Sequence, residues 1–194
     1  MLLPSFESAR KIIHLAGGLI PLLYLSLNLT KIEALLILGI LALPFVGADL
    51  LRLWRPAVNR WFLLLFQAAM RPGEEHRLTG ATYYVLACWL TILVFERSIA
   101  IVALLILACA DTAASVVGQA VGGYRIGQGK TLAGTVAFLV TACLVTLPFF
   151  PPTTSFVVAL IAAVTECLPL PVDDNVTIPL ATGISLTFLR PLSM

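Results

Sequence analysis

Seven apolar runs between Ile12 and Leu189 are candidates for membrane spans, and polar breaks or, after the second, an interfacial stretch separate them. About 20 apolar helical residues cross a bilayer core. Backbone groups in hydrocarbon must be satisfied internally, which a helix does. Spans are therefore expected at Ile12–Leu29, Ile32–Leu51, Leu78–Phe95, Ile99–Val121, Leu132–Phe149, Phe156–Leu168 and Val176–Leu189. The last two are short and call for tilt or shelter by neighbours. Trp54–Met70 places Arg55 and Arg60 ahead of the apolar run Trp61–Phe66, the pattern of a helix lying in the interface, and Arg71-Pro72-Gly73 would end it. The expected fold is all-α: a polytopic membrane helix bundle of about seven transmembrane helices plus one interfacial helix near 54-70, in a single integral membrane domain over residues 1-194. Composition agrees. The 194 residues are 60% hydrophobic and 11% charged, against about 25% charged in a soluble domain. Met1–Leu29 lacks a small-residue cleavage site and reads as the first span. Cys88, Cys109, Cys143 and Cys167 fall in apolar segments with no CxxC spacing, and read as small buried hydrophobes.

Lysine and arginine orient the bundle. With the N-terminus inside, Arg10, Lys11, Arg52, Arg55, Arg60, Arg71, Arg77, Arg125 and Lys130 are cytoplasmic, and Lys31, Arg97 and Arg190 lie outside, as the positive-inside rule asks. The same threading brings His14, Asp49, Glu74, Glu75, Asp111, Glu166, Asp173, Asp174 and Asn175 near the cytoplasmic ends.

Asp111 is the acid that is hardest to explain by structure alone. It lies inside the run Ser98–Val121, where a carboxylate costs about 2.5–3.5 kcal/mol on an insertion scale. Ser115 and Gly118 follow on its helical face. Beyond them Gly118, Gly122, Gly123, Gly127 and Gly129 surround Arg125 and Lys130. Glycines let backbone N–H groups approach an anion, and the cations neutralise it. Lys130-Thr131 matches the end of a phosphate loop in residue type but not in spacing, and no strand is expected before it, so a soluble nucleotide-binding fold is rejected. Glu166 sits in an apolar run, while Asp173-Asp174-Asn175 follows Pro169 and Pro171. Oxygen ligands there suit a hard cation; Asp174 or Asn175 capping the next helix is the plainer alternative. Arg10-Lys11-x-x-His14 is either an anionic-lipid anchor or part of a phosphate site. Asp49 and Arg52 read as an intrahelical pair. One of Glu74 and Glu75 is expected to serve the site. An acid able to hold a divalent cation beside a glycine-and-lysine element points to a magnesium–nucleotide site at a membrane surface.

Arg10-Lys11-x-x-His14, Leu78-Thr79-Gly80 before Tyr83-Tyr84, Asp111-Thr112-Ala113-Ala114 with Gly118 and Gly123, Lys130-Thr131-Leu132-x-Gly134, and Glu166 followed by Asp174-Asn175 together resemble the CTP-dependent lipid-alcohol kinases. These comprise dolichol (polyprenol) kinase, phytol kinase and the yeast-type diacylglycerol kinase, distant relatives of phosphatidate cytidylyltransferase. The resemblance runs from Arg10 to about Pro179, and the order of the motifs makes it specific. One departure stands out: the family often has Lys-Ser-x-Glu-Gly, and here Ala133 takes the glutamate's place.

The resemblance implies transfer of the γ-phosphoryl group from CTP, with Mg2+, to a membrane lipid alcohol, most simply a polyprenol or dolichol, otherwise phytol or diacylglycerol. It casts Asp111, Lys130, His14 and Glu75 as catalytic. Arg10, Lys11, Gly118, Gly123, Arg125, Lys130, Thr131 and Asn175 would bind nucleotide, and Asp111, Glu166 and Asp174 metal. Expected partners are the lipid alcohol, the nucleoside triphosphate and the membrane, with no nucleic acid; a homodimer is one arrangement it allows. Two rivals differ in chemistry: cytidylyl transfer to phosphatidate, and a small transporter with broken helices.

Overall fold

The structure, a computed structural model, describes residues 11–66, 70, 73–126 and 129–190. Its elements are α1 (Lys11–Ser26), α2 (Lys31–Trp54), α3 (Pro56–Phe66), a 3-10 turn (Glu74–His76), α4 (Gly80–Val94), α5 (Arg97–Val121), β1 (Arg125–Ile126), β2 (Lys130–Thr131), α6 (Leu132–Thr146), α7 (Pro152–Cys167) and α8 (Asp174–Leu189). Every apolar run that reads as a span is a helix, and among the described residues the fold is all-α apart from one two-stranded hairpin, which pairs Arg125 with Thr131 and Ile126 with Lys130. That hairpin is a departure from the expected strand-free loop. Two residues per strand are too few to show a period.

The helix starts follow from capping chemistry. Thr30 and Glu33 form a reciprocal capping box on α2, with Thr30 N donating to Glu33 Oε2 at 2.8 Å and Glu33 N to Thr30 Oγ1 at 3.3 Å. Thr79 caps α4 and Thr131 caps α6 through their hydroxyls. The α8 cap is Asp173, which accepts from Asn175 N at 3.0 Å; neither Asp174 nor Asn175 takes that part. Pro152 opens α7 at a position where its missing N–H costs nothing.

Helix α5 is the axis of the molecule. Its segment from Ile99 to Leu104 is buried on every face, and α1, α4, α6 and α8 pack around it. α7 closes the ring between α6 and α8, and α2 lies outside α4. Midway along α5 the residues Ile106–Ala110 widen into a π turn immediately before Asp111. Insertions of this kind recur at functional sites.

Among the described residues two helices are long and apolar enough to cross a membrane: α2, of 24 residues, and α5, of 25. They differ in character. Only 17% of the apolar window of α2 is buried against 61% for α5, so α2 has the outward-facing surface expected of lipid contact and α5 doubles as the core. Helices α1, α4, α6 and α7 are apolar but run to 10–17 residues. At 1.5 Å per residue such helices fall short of a core about 30 Å thick. Length therefore supports two spans directly, not seven. Helix α3 lies where an interfacial helix is expected; residues 67–69 of that stretch are outside the described set, as are Arg71 and Gly127. The outside of the bundle is apolar, with Ile40, Leu43, Leu64 and Phe188 among many exposed large side chains, far beyond what a soluble surface carries.

Candidate active site

Chain direction alone gathers the polar residues. The start of α1, the end of α2, the start of α4, the end of α5, the start of α6, the end of α7 and the start of α8 all contribute to one cavity at one end of the bundle. Its volume is about 910 Å³. Lys11, His14, Asp111, Gly118, Gly123, Arg125, Lys130, Thr131, Glu166, Asp174 and Asn175 all line it. Arg10 lies outside the described residues. Glu74 lines the cavity, whereas Glu75 is not among the residues doing so. Glu75 turns back to accept from Gly73 N at 2.9 Å, and hydrogen bonds from backbone N–H groups hold its carboxyl below the usual range.

Lys130 is fixed by both sides of the α7–α8 break. Its Nζ lies 2.9 Å from Glu166 Oε1 and 2.9 Å from Asp174 Oδ2, and it also donates to the Glu166 carbonyl. Glu166 is buried, which explains why an acid in an apolar run is tolerated: the partner is a cation carried in by the hairpin. Burial alone would depress the Lys130 ammonium, but the Glu166 charge and the hydrogen bonds that Lys130 donates to both acids outweigh it and raise its pKa.

Asp111 pairs with His14, Nε2 to Oδ2 at 3.3 Å, while the same Nε2 lies 3.0 Å from the Leu107 carbonyl in the π turn. A carbonyl only accepts, so Nε2 carries the proton. The His14 ring stands edge-on to Tyr84 at 5.0 Å between centroids. Lys11 on the next turn donates to Gln119 Oε1.

Several expected ligands have structural duties as well. A Cβ on Gly134 would come 2.8 Å from the Ala114 carbonyl, and one on Gly118 would come 2.7 Å from Thr131 Oγ1. These two glycines let α5 and α6 touch. Gly122 and Gly123 have φ of 66° and 92°, which lets the chain reverse out of α5 into the hairpin. Asn175 Nδ2 donates to Gly80 O at 3.2 Å and so ties α8 to the start of α4.

The Asp49–Arg52 pair is more than an intrahelical contact. Asp49 and Arg52 are fully buried and joined at 2.5 Å. Asp49 Oδ2 also accepts from Thr79 N at 2.9 Å and Thr82 Oγ1 at 2.6 Å. The Arg52 guanidinium donates to the carbonyls of Glu74 at 2.9 Å and Arg77 at 2.6 Å, and lies over the Phe62 ring at 4.7 Å. This clasp sets the 3-10 turn that presents Glu74 and the α4 start that presents Gly80. Spacing i, i+3 revealed the pair, but partners more than 20 residues away have no local signature.

Among the described residues no group of three or more His, Cys, Asp or Glu could hold a metal ion. Two carboxylates do converge: Glu166 and Asp174 already surround one cation, the Lys130 ammonium. Mg2+ is commonly held by one or two carboxylates together with substrate phosphates. Glu166 and Asp174 therefore fit a magnesium that arrives with a nucleotide.

The fold and the cavity define a class: an all-α protein with an apolar exterior, whose interior charges meet in one cavity with cationic, acidic and apolar side chains. Comparison with known proteins narrows it. Over 136 residues the chain is 29% identical to a CTP-dependent diacylglycerol kinase of Schizosaccharomyces pombe, covering 69% of this chain and 62% of the relative. Over 158 residues it is 32% identical to the CTP-dependent diacylglycerol kinase of Eremothecium gossypii, covering 78% and 49%. A probable chloroplastic phytol kinase of Zea mays is 27% identical, covering 90% and 64%. These homologues are CTP-dependent diacylglycerol kinases and a probable phytol kinase, members of the lipid-alcohol kinase family that the residues resemble. The chain spans between about half and two thirds of the length of these kinases. No family profile matches the chain, and no solved structure does.

Proposed function

We propose that the protein is a lipid-alcohol kinase, transferring the γ-phosphoryl group of CTP to the hydroxyl of a membrane-dissolved alcohol. The observation that carries this reading is the convergence of Lys130, Glu166, Asp174, Asp111 and His14 on one cavity that apolar side chains such as Ile13, Phe45, Phe62 and Phe66 also line. Phosphoryl transfer asks of a protein mainly positioning and charge stabilisation. Lys130 and Arg125 supply positive charge for the phosphates. Lys11 and His14 stand on the α1 side of the cavity. Glu166 and Asp174 would hold Mg2+, which when bound would help to neutralise the charge of the phosphates. Asp111 would accept the alcohol's proton, with the His14 ring beside its carboxylate, Nε2 3.3 Å from Oδ2; Glu74 is the alternative base from the α4 side.

Among alcohols the expectation from sequence is a polyprenol or dolichol. The relatives' names favour diacylglycerol and phytol, so all three belong in the assay. The single membrane domain, the N-terminus in the cytoplasm and the cavity on the cytoplasmic face complete the proposal, and the gathering of Lys11, Lys130, Glu166 and Asp174 at one end of the bundle speaks against a transporter.

Detergent-solubilised protein given γ-labelled CTP and each alcohol in turn tests it. Label on lipid with release of CDP is the expected result. Pyrophosphate release with no label on lipid would replace the kinase by a cytidylyltransferase.

A further inference from the structure

The cavity has a second half that phosphate chemistry does not explain. Ile13 and Ile20 of α1, Phe45 of α2, and Phe62 and Phe66 of α3 line it alongside the charged residues. Ligand pockets of about 300–1,000 Å³ enclose one drug-sized molecule, and this cavity is about 910 Å³. A nucleoside triphosphate and a long-chain alcohol cannot both be enclosed there, so most of the hydrocarbon must leave through a wall.

The packing shows which wall can open. On the α4, α6 and α8 sides the cavity is backed by tightly interlocked elements. Gly118 and Gly134 bring α5 and α6 into backbone contact, Asn175 ties α8 to α4, and Lys130 ties the hairpin to α7 and α8. The α1–α2 side differs. Tyr84 of α4 fills the place of a Gly17 side chain, and Ala108 of α5 lies 3.2 Å from a Cβ built on Gly18, so α1 is seated on α4 and α5. α2 is held by α4, where Trp89 donates to the Leu35 carbonyl at 3.2 Å. The two helices meet at their turn at the far end of the bundle, around Leu27–Thr30, and at the cavity end each presents its own apolar side chains. Ile13 and Phe66 are 51% and 44% exposed, so the apolar wall continues to the outside surface.

We infer that the hydrocarbon chain of the alcohol leaves the cavity between the cavity ends of α1 and α2, lying over Phe45 and against the Phe62–Phe66 face of α3. This rests on the lipid-alcohol reading above. It also makes the amphipathic helix α3 one side of a lateral lipid port, where an interfacial position alone would leave it merely floating. A hydroxyl on a chain seated there reaches the Asp111–His14 pair without the chain leaving the hydrocarbon.

A site-specific photocrosslinker tests the port without requiring turnover. Benzophenone-bearing residues replace Phe66 in one protein and Leu144 in another; Leu144 is exposed on the outer side of α6 and samples bulk lipid. Each protein, reconstituted in phosphatidylcholine vesicles, is irradiated with tail-labelled phytol, or with tail-labelled diacylglycerol. The expected result is strong labelling at Phe66, lost at least fivefold when excess unlabelled alcohol is added, and weak labelling at Leu144 that unlabelled alcohol does not compete. Equal labelling at the two positions, or labelling at Phe66 that alcohol does not compete, overturns the port. As a second readout, Phe45→Trp and Ile13→Trp should raise KM for long-chain alcohols at least fivefold and leave short-chain ones unchanged; an unchanged KM for both overturns it too. Competed labelling from a protein that never phosphorylates any alcohol leaves the port standing and removes the kinase, so the two failures are distinct.

Discussion

Three oxygen atoms meet the ammonium of Lys130: both acids across the α7–α8 break, and the Glu166 carbonyl. Removing the cation leaves buried Glu166 without its ion-pair partner, and in the proposed reaction it also removes charge from the phosphates. Lys130→Met is expected to lower kcat by about 10²–10³-fold, the usual cost of losing one stabilising group for developing charge. Purified variant protein assayed at saturating CTP checks this; activity within threefold of the parent would take Lys130 out of the reaction. The raised pKa also has a sign. Its folded value exceeds the unfolded one, so the stabilisation is complete below the ordinary lysine value of about 10.4 and is lost as pH rises through the folded value. Thermal unfolding in detergent between pH 7 and 11.5 should show an alkaline loss in the parent that Lys130→Met lacks. His14 offers a subtler test. Its Nε2–H donates to the Leu107 carbonyl and faces Asp111, so His14→Gln, which keeps a donor, should retain more activity than His14→Leu, measured as kcat/KM.

At the scale of elements, the Asp49–Arg52 clasp decides where the turn carrying Glu74 stands. Breaking a buried pair by removing one partner costs about 3–5 kcal/mol, because the other charge is left unpaired. Arg52→Met should therefore lower the melting temperature more than the double variant Asp49→Leu/Arg52→Met, which leaves no buried charge behind. Equal melting temperatures would show that the ion pair is not what holds the turn. This clasp also shows where sequence reading stops. The helices were legible because apolar length and Thr, Asp and Pro at their starts act locally. The clasp was legible only as a pair, since the backbone carbonyls and threonine hydroxyls it serves lie in another element. For the same reason the adjacent acids Glu74 and Glu75 could not be told apart: the direction of a 3-10 turn decides which one faces the cavity. Asp173 rather than Asp174 as the α8 cap is a similar one-residue matter, and it leaves Asp174 for Lys130.

On the scale of the whole molecule, alternation of chain direction does what no motif does. With α3 set aside, each of the other seven helices reverses the one before it. The ends that carry Lys11, Asp49, Gly80, Val121, Lys130, Glu166 and Asp174 therefore fall together, and those of Ser26, Lys31, Arg97, Thr146 and Pro152 fall at the other end. The far end is closed by its own charges: Arg97 donates to the Tyr24 and Leu25 carbonyls at 3.1 Å, and Arg190 pairs with Glu96. This was readable in outline from lysine and arginine counts. Among the described residues only α2 and α5 have the length to cross unaided; in a seven-span arrangement the shorter helices would cross where the bilayer thins or where neighbours shelter their ends. Tyr124, 76% exposed at the cavity end, and Thr153, exposed at the start of α7 at the other end, make the test direct. In a background with the four native cysteines replaced by alanine, Tyr124→Cys should react with a membrane-impermeant maleimide only in inverted vesicles, and Thr153→Cys only in right-side-out ones. Labelling of both from one side would mean that α6 does not cross, and the proposed cytoplasmic cavity would lose its bundle.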